Sequence, residues 1–187
     1  MSHDSAFAVS AARRTAQTLV AWLEDRPGAL NRVVSLFRRR GFNIDSLTVG
    51  RTERSGISRI TLVVQADEDT AQRLEANLHK LVNVLEVVDV THAPAVSREL
   101  AFVKVQAGAD RRGEILQLCE TFRARVVDVA RDTVTAEITG TSEKLDGLIE
   151  LLVPFGIVEM VRTGAVAMAR GAGAQTSPTR GEGDLAA

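Results

Sequence analysis

Two short stretches carry residues whose types and spacing could hold a small charged ligand: Glu24-Asp25-Arg26-Pro27-Gly28-Ala29-Leu30, and, further on, Gly41-Phe42-Asn43-Ile44. Pro27 has a fixed φ and no N–H, which suits the first turn of a helix, and Gly28 lets a ligand or a second backbone come close. The unsatisfied N–H groups of a first helical turn carry the positive end of the helix dipole, so the turn is a natural seat for a carboxylate such as that of an amino acid. Asn43 offers a donor and an acceptor to an α-ammonium or α-carboxylate and is expected near the same end of the sheet as the turn. A plain helix start, and a plain turn residue at Asn43, are the simpler alternatives.

These residues need elements to position them. Thr18 to Leu23 reads as a buried strand. From Gly28 the period changes, and Leu30, Val33, Val34 and Phe37 fall on one helical face, with Arg38-Arg39-Arg40 in the last turn and Gly41 as a left-handed stop. Asn43 to Arg51 and Ile57 to Gln65 form a hairpin around Thr52 to Gly56. Asp67-Glu68-Asp69 opens a second helix with Ala71, Leu74, Leu78 and Leu81 inward, and Val84 to Thr91 is a fourth strand. The order β-α-β-β-α-β is the ferredoxin-like split unit. After His92 to Ser97 the order begins again. A strand at Glu99 to Gln106 precedes a helix face of Ile115, Leu118, Cys119 and Phe122, which repeats the spacing of the first helix with Phe122 and Arg123 in the places of Phe37 and Arg38. Strands at 126–130 and 133–139 follow, then a helix with Leu145, Leu148, Ile149 and Leu152 inward, then one strand from Val158 to Ala167.

The fold class is therefore α+β: two tandem ferredoxin-like βαββαβ domains, antiparallel sheets with helices on one face. The expected divisions are a flexible leader over 1–16, a sensing domain over 17–93, a linker over 94–97, a second domain over 98–170 and a disordered tail over 171–187. In the third strand Ser58, Ile60, Leu62 and Val64 share one side while Ile57, Thr61 and Val63 share the other. A cover is expected over that second side, a second copy or another protein, against the alternative of scattered exposed apolar residues.

With a formal net charge of -1 and 45% apolar residues, the chain lacks the basic footprint of a nucleic-acid binder and any apolar run long enough to span a membrane. With no Tyr, one Trp and six Phe, an RNA-stacking sheet has no platform. Cys119 stands alone, without the partner that a disulfide or cysteine metal cage needs, and a cytoplasmic location is expected. His3, His79 and His92 are scattered, none at motif spacing from a nucleophile, and no phosphate loop is present. No catalytic constellation is expected, a reactive Cys119 being the remaining enzymatic alternative.

The run Leu23 to Leu30, followed by Leu36-Phe37-Arg38-Arg39-Arg40-Gly41-Phe42-Asn43-Ile44-Asp45-Ser46-Leu47-Thr48-Val49, resembles the ACT domain of the small regulatory subunits of acetolactate synthase. His79 to Val84, Ser97 to Val105, Phe122-Arg123-Ala124, Val127-Asp128-Val129, Pro154 to Glu159 and Arg162-Thr163-Gly164 resemble that family in order, so the likeness covers roughly Gln17 to Gly171. It implies a chain without catalysis of its own. Such a chain activates a large catalytic subunit, which carries thiamine diphosphate, Mg and FAD, and makes that subunit sensitive to valine in branched-chain amino-acid synthesis. It also implies a homodimer through the ACT domains, with the effector held by Asp25, Gly28, Ala29 and Leu30 of one chain and Asn43 and Ile44 of its partner. Some relatives have Asn at the place of Asp25. A free-standing ACT-domain sensor controlling another enzyme or a transcription factor is the alternative.

Overall fold

The computed structural model describes residues 14–171. The expected leader up to residue 13 and the expected tail from 172 lie outside the described residues. The first half runs β1 (Thr15–Glu24), α1 (Ala29–Arg40), β2 (Ile44–Arg51), β3 (Ile57–Ala66), α2 (Glu68–Leu78) and β4 (Val84–Asp89), and its strands pair antiparallel in the order β2-β3-β1-β4. The second half runs β5 (Ala95–Gln106), α3 (Arg112–Thr121), β6 (Arg125–Val129), β7 (Thr133–Gly140), α4 (Ser142–Leu152), a 3₁₀ turn over Val153–Phe155, β8 (Ile157–Arg162) and β9 (Val166–Ala169). Its sheet order, β6-β7-β5-β8, repeats the first. Asp67 caps α2 by accepting from the Thr70 amide at 2.8 Å, as an acidic helix start should.

Several expected boundaries move. Thr15 and Ala16, assigned to the leader, are already strand, paired with Ala66 and Gln65. Ala95, Val96 and Ser97, assigned to the linker, open β5. The single strand expected over Val158 to Ala167 is two, because Gly164 at φ +80° turns the chain, so that β9 pairs with Ala95 to Arg98 instead of continuing along β8. The ribbon of β9 with the start of β5 reaches across the first sheet.

That ribbon answers the question of the second face. Leu19, Ala21, Leu23, Ile60, Leu62 and Val64 face α1 and α2, whereas Val20, Trp22, Ile57 and Val90 on the opposite side pack with Ala167 of β9. The cover expected from a separate molecule is supplied, over this stretch, by the same chain.

The α1 face is also turned from expectation. Ala29, Val33, Leu36 and Phe37 are buried, while Leu30 and Val34 remain 38% and 37% exposed. The apolar arc of α1 is wider than its contact with the sheet, and Leu30 and Val34 form the flank left over. The internal repeat needs a shift as well. Phe42 N donates to Phe37 O at 3.0 Å and Ala124 N to Cys119 O at 2.7 Å, closing both helices with the same six-to-one bond. The caps align Val33 and Phe37 with Ile115 and Cys119, not Phe37 with Phe122. Gly41 then corresponds to Arg123, the single non-glycine residue at positive φ (52°) among the described residues. Arg123→Gly should remove left-handed strain of about 1 kcal/mol and raise the melting temperature by several degrees; an unchanged or lower midpoint in calorimetry would contradict the cap assignment.

Candidate functional site

The turn between β1 and α1 is pinned on three sides. Glu24 N donates to Asn83 O at 2.9 Å, Asp25 N to Gly56 O at 2.8 Å and Ala29 N to Arg26 O at 3.2 Å. The Glu24 carboxylate accepts from Asn83 Nδ2 at 2.9 Å and pairs with Arg26 Nε at 3.5 Å. Pro27 is therefore not in the first helical turn. With Gly28 at φ +86°, ψ −10°, Arg26 to Ala29 is a type II β-turn with proline and glycine at its central positions, and α1 begins after it. Glycine is needed at 28 for that φ, and a β-carbon placed there would meet nothing within 4 Å, so the space above the turn is open.

The turn leaves an anion seat. Gly28 O accepts from Arg32 N at 3.1 Å and the Ala29 amide is taken by Arg26, while the amides of Leu30 and Asn31 have no acceptor among the described residues. Two adjacent free N–H groups at the positive end of a 12-residue helix suit a carboxylate. Asp25, Gly28 and Leu30 are exposed beside it and Ala29 is buried beneath it.

Asn43 and Ile44 are elsewhere. Register places Ile44 opposite Val64 and Glu24 opposite Ile57, so within one chain the two halves of the expected site are separated by seven β3 positions, roughly 23 Å at 3.3 Å per residue. The expectation that Asn43 shares the turn's end of the sheet is corrected: α1 runs back along the sheet, and β2 starts at its far end. Strand β2 begins at Ile44, not at Asn43. The exposed Asn43 donates through Nδ2 to Asp45 Oδ1 at 3.3 Å. Any ligand contacting both groups must sit between two chains.

Cys119 is buried and desolvation pushes its thiol above the usual range, which removes the thiolate character a nucleophile needs. No helix among the described residues is long and apolar enough to cross a membrane.

Residues that sequence reading did not single out join the two halves. Ala165 N donates to Ser46 Oγ at 2.8 Å, Thr48 Oγ1 donates to Thr163 O at 3.3 Å, and Arg59 Nη2 donates to Ala167 O. The Arg59 guanidinium also lies 5.4 Å from the centre of the Trp22 ring. The sequence signal was Gly164 inside an otherwise strand-like run.

A split β-α-β-β-α-β sheet with a Pro-Gly turn before its first helix defines an ACT domain, and residues 19–86 match the model of the AHAS small subunit-like ACT domain. Residues 98–171 match the model for the small subunit of acetolactate synthase. The chain is 47% identical to a probable acetolactate synthase small subunit of Archaeoglobus fulgidus, over 82% of this chain and 96% of that one. It is 49% identical to the acetolactate synthase small subunit of Bacillus subtilis, over 79% and 86%. The crystal structure of the acetolactate synthase small subunit from Thermotoga maritima superimposes with a TM-score of 0.77 at 38% identity, covering 84% of this chain and 98% of that one. The chain belongs to the acetolactate synthase small-subunit family.

Proposed function

We propose that this chain is the regulatory subunit of acetolactate synthase, acting in the cytoplasm to activate the catalytic subunit and to confer feedback inhibition by valine in branched-chain amino-acid biosynthesis. The thiamine diphosphate, Mg and FAD used in the chemistry belong to that partner. The observation that carries the effector site is the pair of amides at Leu30 and Asn31, without an acceptor among the described residues, beneath the open Gly28. They suit the valine carboxylate, while Asp25 supplies a charge for the ammonium.

The separation of roughly 23 Å between turn and Asn43 supports a site shared by two chains. The exposed flank of α1, Leu30 and Val34, supplies apolar surface for that pairing. A ligand between chains contacts both and biases their relative orientation, and coupling of about 1–3 kcal/mol changes affinity 5- to 150-fold.

Calorimetry of valine with the full chain should give one site per chain. Asn43→Ala should weaken binding by about tenfold, the loss of one hydrogen bond to a charged group, while stimulation of the catalytic subunit persists. Unchanged affinity in that variant would exclude Asn43 from the site.

A further inference from the structure

We infer that Ser46 and Thr48, clasped to the Thr163–Ala165 bend, are positioning residues that carry effector occupancy at Asn43 into the C-terminal domain. The inference rests on the proposed regulatory reading and adds the route by which one domain informs the other.

The route begins at a joint in β2. The pairing of β2 with β3 shifts register between Ile44 and Ser46, so Asp45 is the extra residue of a bulge. Its carboxylate is held from two directions, with Oδ1 accepting from Asn43 Nδ2 at 3.3 Å and Oδ2 from Gln65 Nε2 at 2.8 Å. A ligand that engages the Asn43 amide competes for the first of these bonds. It thereby acts on a bulge, an element already able to bend, at the edge of its sheet.

Ser46 is the next residue. The bulge sends Ile44 and Leu47 to the helix side, where both pack on the core, and leaves Ser46 and Thr48, two residues apart, on the opposite face. There they hold the bend between β8 and β9 through the 2.8 Å bond from Ala165 N to Ser46 Oγ and the 3.3 Å bond from Thr48 Oγ1 to Thr163 O. The fit is close: a β-carbon on Gly164 would collide with Ser46 Oγ.

The far side of the clasp is anchored firmly. Thr163 N donates to Leu100 O at 3.0 Å, and Leu100 N donates to Thr163 Oγ1 at 3.2 Å. Arg162 donates to Glu99 Oε2 from Nε at 3.0 Å and from Nη2 at 2.6 Å, to Asp146 Oδ1 at 2.6 Å and to Ser142 Oγ at 3.0 Å. A displacement of the bend therefore moves β5 and the start of α4 with it. Beside the clasp a cleft of about 570 Å³ separates Asp45, Ser46 and Gln65 from Glu99, Ser142 and Arg162. The domains are not packed solidly there, and they have room to change their angle about the clasp.

The test uses the full chain with its catalytic subunit and the double variant Ser46→Ala/Thr48→Val, which removes both hydroxyls. Three quantities are read: valine affinity by calorimetry, stimulation of acetolactate formation without valine, and the inhibition valine produces. The expected result is affinity within about threefold of the parent, retained stimulation, and inhibition reduced from the 5- to 150-fold range to below about twofold. A merely structural role would move thermal stability or all three quantities together. Inhibition preserved in full with affinity preserved would overturn the inference and leave the regulatory reading standing. A parent chain that neither binds valine nor stimulates the catalytic subunit would overturn both. Thr48→Val alone keeps the volume and β-branching of the residue and serves if the double variant does not fold. Half-way loss of inhibition at unchanged affinity is expected of it, and full inhibition contradicts the clasp.

Discussion

Gly28→Asp is expected to abolish the response to valine while the chain still folds and still stimulates the catalytic subunit. A β-carbon at position 28 meets no neighbour, so the substitution costs only the left-handed φ of +86°, about 1–2 kcal/mol. The new carboxylate, however, sits at the N-cap of α1, where it can accept from the amides of Leu30 and Asn31, which have no other acceptor among the described residues. It fills the seat and repels the ligand's own carboxylate. Losing two charge-assisted hydrogen bonds removes about 3 kcal/mol or more, a factor of at least about 100 in affinity. Gly28→Ala, which carries the same backbone strain without the charge, should retain most of the affinity; equal loss in both variants would mean that strain, and not occupation of the anion seat, is responsible.

The split site makes this prediction sharper. Turn and Asn43 lie at opposite ends of one sheet, so a Gly28→Asp chain still offers a sound Asn43 and an Asn43→Ala chain a sound turn. Mixed pairs of the two variants should recover one intact site per pair. Failure of parent-affinity binding to return in the mixture would place the site within a single chain or elsewhere.

Phe37→Ala is expected to cost the first domain about 3–5 kcal/mol. The ring is 1% exposed and lies with Leu19, Leu23, Leu62 and Leu74 in the core beneath α1. For a unit of this size that loss lowers the melting temperature by about 12 °C or more. Val34→Ala provides the contrast, because Val34 stands on the exposed flank and its truncation should cost the folded chain well under 1 kcal/mol while weakening self-association. Comparable destabilisation by both would restore the face read from the sequence and remove the flank from the pairing surface.

That contrast shows where sequence reasoning reached and where it stopped. Periodicity located α1, and both Val33 and Phe37 proved buried, but six apolar residues crowd the helix and nothing local says which arc meets the sheet. Alternation in β3 placed Ile57 and Thr61 on a face that needed a cover; the cover was missed because Val158 to Ala167 reads as one strand until Gly164 is given its positive φ. Resemblance assigned Asn43 to a partner chain, whereas proximity in sequence suggested the same end of the sheet. Only strand register, with Ile44 opposite Val64, separates the two. The clasp of Ser46 and Thr48 joins residues more than a hundred positions apart and left no local pattern to read.

Whether this chain regulates acetolactate synthase is decided by the rate of acetolactate formation from pyruvate by the catalytic subunit alone, with this chain, and with this chain plus valine. Stimulation by the chain, reversed by valine, is expected. No change in either condition would contradict the regulatory reading and favour the alternative, a free-standing ACT-domain sensor acting on another target.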